Sequence, residues 1–121
     1  SFLQDKNIEI IAYSSLVPLS TWRHKKGENS LKTDEMYKDG QNSDSLFKIL
    51  ANKHNVTEAQ ILLKWALQLN YAVLPKSINI ARMQNNFNLS FTLDSDDMKL
   101  INDQDRGESI TWAYGDPLKV I

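Results

Sequence analysis

Cysteine is absent from this 121-residue chain, which excludes disulfides and thiolate metal sites. Histidine is nearly absent. His24 and His54 lie far apart, so no zinc-ligand spacing occurs. No apolar run approaches the ~18 residues that a membrane-spanning helix needs. Neither sign of charge dominates: 14 basic against 15 acidic residues leave a net charge of −1, which argues against a strongly basic nucleic-acid binder. The four glycines form neither a Gly-x-Gly-x-x-Gly nor a Walker-type loop, so the common nucleotide fingerprints are missing. No Ser/His/Asp set with triad spacing occurs either. What remains, 41% hydrophobic and 24% charged residues, is the balance of a globular chain and excludes a disordered tail or a collagen-like repeat. At 13.9 kDa it is one domain at most.

The first residue is Ser1, and Phe2 to Lys6 reads as the end of a helix. The chain is therefore expected to be a piece of a longer one. Asn7 to Tyr13 is short, β-branched and nearly all apolar toward its end, which favours a buried strand of a parallel sheet. Residues 17–44 form a long polar stretch with no sustained period, a loop that compact domains rarely carry without a function. Ser43 or Ser45 caps a helix bearing Leu46, Phe47, Leu50 and Ala51, and Asn55-Val56 ends it. Thr57 and Gln60 have capping-box spacing at the start of the next helix, whose inward stripe is Ile61, Leu62, Trp65 and Leu69, with Lys64 and Gln68 off it. Tyr71 to Leu74 is a second short strand, closed by Pro75. Asn79 to Phe87 is helical, with Ile80, Met83 and Phe87 on one face. Asn88 to Leu93 is extended. Asp94 or Ser95 caps a last helix with Met98 and Ile101 inward, and Asp96, Asp97, Asp103 and Asp105 as surface charge. Strands alternating with helices mean parallel β/α units, and two strands are too few for a self-sufficient sheet.

The richest segment chemically is Leu74 to Arg82. A strand ends, Lys76 and Ser77 follow, and a helix starts a few residues later. Sites in parallel β/α folds lie at the C-terminal ends of strands, and a helix start adds free N–H groups. Lys76 offers a point charge and Arg82 a planar fork, a combination suited to a phosphate monoester. The alternative is that both are solvated surface charges. Tyr13-Ser14-Ser15-Leu16 closes the first strand in the same way, with Tyr13 either a stacking surface or an aromatic plug. The basic run Arg23-His24-Lys25-Lys26 reads as solvated charge or as help in holding an anion. His54, after Lys53 at a helix end, suits the dipole there.

Three ordered segments, Ile10 to Leu16, Thr57 to Trp65 and Leu74 to Asn86, resemble the C-terminal part of the aldo-keto reductases, and Phe87 to Met98 continues the match. The resemblance implies the C-terminal portion of a (β/α)8 TIM barrel: its seventh and eighth strands with their helices, plus an extra C-terminal helix. It implies NADPH as cofactor and aldehydes or ketones as substrates. Tyr13 then matches the aromatic that stacks on nicotinamide, and Ser14 and Leu16 line the cofactor channel. Lys76, Ser77 and Arg82 match the residues that hold the 2′-phosphate, with Ile78 and Asn79 beside them. Asn86 matches an adenine contact, and Asn85 precedes it. Residues 17–44 correspond to the loop that folds over the cofactor, and 106–121, around Trp112, to the loop shaping the substrate pocket.

Ser15 stands where the family usually has Pro, Val17 where it often has Gly, and Asn85 where an acidic residue is common. An amide still hydrogen-bonds adenine. The family's catalytic Asp, Tyr, Lys and His come from the earlier half of the barrel, and no segment here matches them. Tyr37, Tyr71 and Tyr114 lie in the wrong contexts to replace the tyrosine. The chain is thus expected to supply the cofactor grip and to need the N-terminal remainder of the barrel as partner, in the cytoplasm, without nucleic acid or membrane. Two other readings are a regulatory nucleotide-binding subunit of potassium channels and a non-catalytic remnant module.

Overall fold

Two short parallel strands backed by helices form the framework. The computed structural model describes residues 2–19 and 45–105. Residues 20–44 of the long loop and 106–121 of the tail lie outside the described residues, and with them Trp22, the basic run at 23–26, Tyr37, Ser43, Trp112 and Tyr114. The order is α1 (Phe2–Asp5), β1 (Ile10–Ala12), a 3-10 turn (Val17–Leu19), α2 (Leu46–His54), α3 (Glu58–Gln68), β2 (Tyr71–Val73), α4 (Ile80–Phe87) and α5 (Ser95–Asn102). No helix among the described residues is long and apolar enough to cross a membrane.

β1 and β2 pair in parallel with Ile10 opposite Tyr71, Ile11 opposite Ala72 and Ala12 opposite Val73. The first strand is shorter than the expected Asn7–Tyr13, and it is not buried on both faces. Asn7 takes a left-handed φ of 54° as the chain leaves α1, and Ser14 one of 56° just past Tyr13, so the extended run is clipped at both ends. With β2 as its partner and α3 packed on β2, one face is half-buried, while Ile8, Ile11 and Tyr13 are exposed.

The core sits on the other side of α3. Leu50 and Ala51 of α2, Ile61 of α3, Leu93 just before α5 and Ile101 within it form it, with Phe47, Val56, Phe91 and Met98 packed around them. The helix ends follow the sequence closely. Ser45 Oγ caps α2, and Asn55 closes it in the left-handed region at φ 53°. Thr57 and Gln60 form the reciprocal capping box of α3, and Asp94 and Asp97 that of α5. Trp65, expected in the core, is half-buried at its edge, because its indole N–H reaches outward to Asn102 Oδ1 at 2.8 Å.

Three features depart from the sequence reading. Lys64 and Gln68, off the apolar stripe of α3, face the chain rather than water, as does Gln60. Gln60 Nε2 donates to the Asn88 carbonyl at 2.7 Å, and Lys64 Nζ to that of Leu89 at 3.0 Å. Gln68 holds Leu93 at both ends: its Nε2 donates to the carbonyl at 2.9 Å, and its Oε1 accepts the N–H at 2.8 Å. The extended segment 88–93 has no strand partner, so these side chains satisfy backbone groups that a sheet would otherwise satisfy. Secondly, α4 buries none of its side chains. Ile80, Met83 and Phe87 share a face as expected, yet are 70%, 47% and 91% exposed.

Thirdly, Asp97 is not surface charge but is 1% exposed. Its carboxylate accepts from Lys53 Nζ at 2.7 Å and meets His54 Nε2 at 2.7 Å, tying α5 to the end of α2. Lys53 also pairs with Asp94 at 2.7 Å. Burial pushes the Asp97 carboxyl up, but hydrogen bonds from Lys53, His54 and the Asp94 backbone together hold it below the ordinary value. The Lys53 hydrogen bond lowers Asp94 too, and the Asp94 and Asp97 hydrogen bonds raise Lys53. Among the described residues no buried side-chain N or O lacks a partner.

Two outcomes follow for stability. Replacing Gln68 by Leu strands both backbone groups of buried Leu93 and should cost about 2–4 kcal/mol in urea unfolding. Replacing Asp97 by Asn should cost about 1–3 kcal/mol at neutral pH, by weakening the charged hydrogen bonds from half-exposed Lys53 and from His54. The depressed carboxylates contribute fully above their ordinary value of 3.8 and lose that contribution as pH falls through their lowered values. Urea midpoints should therefore drop below about pH 4 more steeply for the parent sequence than for Asp97→Asn.

Candidate cofactor-binding site

A parallel pair in register delivers both C-terminal strand ends to one edge. Tyr13 to Leu16 leave that edge from β1, and Leu74 to Asn79 leave it from β2. The Leu74 N–H donates to the Ala12 carbonyl at 3.4 Å, carrying the pairing one step past the strands. Ser15 Oγ donates to the same carbonyl at 3.2 Å, so both acceptor positions of Ala12 hold the edge together. Ligands of open parallel sheets bind outside such an edge. Alternation puts Tyr13 on the bare face with Ile11, and Leu74 there with Ala72. Tyr13 is 58% exposed and presents its ring beyond the strand end. Ser14, at φ 56°, turns the chain away immediately after it, and half-buried Leu16 opens the 3-10 turn by accepting from Leu19 N at 3.0 Å.

On the β2 side the chain passes exposed Lys76 and then tightens. Ser77 Oγ accepts the Asn79 N–H at 3.1 Å, a local turn that starts α4. Ile78, in that turn, is fully exposed. Asn79 is the N-cap: its Oδ1 accepts the Arg82 N–H at 3.0 Å. The amides of Ile80 and Ala81 then have no intrahelical acceptor, as at every helix start. Arg82 projects from the first turn and is exposed. Lys76, two uncapped amides and a guanidinium thus surround the start of α4, next to the edge that carries Tyr13. A dianion is the ligand such a set can hold, beside a flat aromatic surface that can stack.

Not every sequence-identified residue comes to that spot. Asn85 and Asn86 lie in the second half of α4, a helix about 12 Å long. Asn85 is exposed and its carbonyl accepts the Asn88 N–H at 3.1 Å; Asn86 is half-buried. They are set along the helix from Lys76 rather than beside it. Trp112 lies outside the described residues. Two residues gain a meaning that the residue pattern left open. Ser15, where the family usually has Pro, replaces a rigid ring with a hydroxyl that clasps Ala12. Asn79 caps the helix, a role its position two residues before Ala81 signals. Among the described residues no group of His, Asp or Glu could hold a metal ion.

Known proteins place the chain. Residues 1–106 match the family model described as the Aldo/keto reductase family. The chain is 38% identical over 108 residues to an NAD(P)H-dependent pentose reductase of Pyricularia oryzae, covering 88% of this chain and 31% of that protein. It is 33% identical over 127 aligned positions to a 4-dihydromethyl-trisporate dehydrogenase of Mucor mucedo, covering 97% of this chain and 36% of that protein. Among solved structures, an aldo-keto reductase from a Medee basin deep-sea metagenome aligns with a TM-score of 0.69 at 28% identity, covering 95% of this chain and 36% of that one. A Bombyx mori aldo-keto reductase in complex with NADP aligns at 0.65 and 27% identity, covering 84% of this chain and 30% of that one. The chain spans about a third of the length of the relatives it matches. With a family match over nearly its whole length, this chain belongs to the aldo/keto reductase family.

Proposed function

We propose that this chain forms the cofactor-gripping C-terminal portion of an NADPH-dependent reductase of aldehydes and ketones. β1 and β2 are then the last two strands of a (β/α)8 barrel, and the remainder of the barrel comes from sequence outside this chain. The observation that carries the proposal is the shared edge. Parallel pairing sets Tyr13 to Leu16 beside Leu74 to Asn79, with Arg82 on the helix that follows. The relatives named as NAD(P)H-dependent reductases, and the neighbour holding NADP, support the same reading.

The residues present fit a nicotinamide dinucleotide phosphate. Lys76 and Arg82 meet the 2′-phosphate, with Ser77, Ile78 and Asn79 shaping the turn between them. Asn85 and Asn86 lie farther along α4 for the adenine. Tyr13 stacks on the nicotinamide, and Ser14 and Leu16 line its channel. When bound, the cofactor supplies the hydride. This chain's residues would bind and orient it. The proton donor for the carbonyl oxygen would come from outside this chain, because no segment of the sequence matches the family's catalytic Asp, Tyr, Lys and His.

The assignment predicts a coenzyme preference. In the complete enzyme, Lys76→Ala with Arg82→Ala should weaken NADPH binding by a few kcal/mol, at about 1.5–3 kcal/mol for each charged hydrogen bond. NADH, which lacks that phosphate, should bind nearly unchanged. Equal losses for both cofactors would count against the phosphate role. The second expectation concerns the chain alone. Purified as 121 residues, it should not oxidise NADPH when given an aldehyde, and turnover above background would show that a proton donor is present after all.

A further inference from the structure

We infer that Gln60 and Lys64 of α3 are positioning residues for the cofactor helix α4, fixing the end at which Asn85 and Asn86 stand. The inference rests on the cofactor-site reading above. α4 is eight residues long and buries no side chain against the other described residues, so within them hydrophobic packing does not fix its direction. Its start is held by the turn from β2. Its end is held by side chains that lie on another helix. Gln60 Nε2 donates at 2.7 Å to the carbonyl of Asn88, the residue that caps α4. One residue on, Lys64 Nζ donates at 3.0 Å to the Leu89 carbonyl. Gln60 and Lys64 are one turn apart on α3, so together they clamp two successive carbonyls.

The Gln60 amide has no freedom to turn. It is 5% exposed, and its Oε1 accepts from Thr57 N at 2.9 Å and Thr57 Oγ1 at 3.0 Å. A flip would set its NH2 against the Thr57 N–H and its oxygen against the Asn88 carbonyl. The capping box of α3 therefore aims the donor that holds α4. Swinging the far end of a helix about 12 Å long by a few degrees barely moves Arg82, in its first turn near the pivot. It moves Asn85 and Asn86 most, because they stand beside the clamp in the last turns. Contacts to the adenine are sensitive to that change, whereas stacking on Tyr13, held by β1, is not.

The test measures KM and kcat with NADPH and with NADH in the complete enzyme for Gln60→Met, Lys64→Met and Lys64→Arg. Met keeps the bulk of each side chain and removes the donor; Arg restores one. Lys64 is half-buried, so its variants secure the test if Gln60→Met folds poorly. The expected result is a KM raised about five- to tenfold for both cofactors by either Met variant, at the scale of one weakened hydrogen bond. Both kcat values should stay within about twofold, and Lys64→Arg should recover most of the loss. A rise confined to NADPH, or a fall in kcat with KM unchanged, would overturn the inference. So would unchanged KM values in the Met variants. An Arg82→Ala enzyme with unaltered cofactor preference would overturn the cofactor-site reading itself, and the inference with it.

Discussion

Much of this structure depends on a stretch of backbone that has no strand beside it. Residues 88–93 cross α3 with alternate residues turned inward, and the N–H and C=O groups on that side must find partners. Three side chains spaced four apart, Gln60, Lys64 and Gln68, supply them. This polar ladder does what a neighbouring strand would do in a sheet. It seats Leu93 in the core at 2% exposure, sets where Asp94 can begin α5, and ends α4 against the start of α3.

The second tie is electrostatic and closes the same body from the other side. Asp97 is a carboxylate in the first turn of α5, where the helix dipole favours it. Burying it costs desolvation, and that cost is met only because Lys53, His54 and the Asp94 N–H all reach it. Lys53 and His54 stand in the last turn of α2, so the end of one helix neutralises the beginning of another. Phe91 lies against the His54 ring at 5.5 Å between centroids, so the ladder segment and the ion-pair cluster share a wall.

Local rules made a large part of this legible in the sequence. The capping box at Thr57, the left-handed stop at Asn55, the cap at Asp94 and the two short strands all follow from residue type and spacing within a few positions. What was not legible depends on partners far along the chain. Asp97 has the composition of surface charge, and only the approach of Lys53, some forty residues earlier, makes it a core residue. Lys64 and Gln68 fall on the polar side of an amphipathic helix, and nothing local says that a strand-like segment will lie there. Their spacing of four was visible, but an i, i+4 polar row is also what a solvated face shows. The apolar face of α4 was legible as a periodicity. Its exposure was not, because period alone does not say what stands opposite.

The described residues divide into a part that makes the fold and a part that holds the ligand. α2, α3, α5 and residues 88–93 bury their apolar surface and pair their polar groups. The sheet edge, the turn at Lys76 to Asn79 and α4 pair polar groups locally but bury little apolar surface, and every candidate site residue among the described residues belongs to them. A binding surface must keep charges hydrated and amides unpaired until the ligand arrives, so it cannot contribute to its own stability by burial. An eight-residue helix of that kind is marginal alone. It persists here because both ends are tied, through the turn from β2 and through Gln60, while its middle stays open. The same polar contacts that hold α4 in place thereby leave Arg82 exposed, and the rigidity of the site is set by the part of the chain that never touches the ligand.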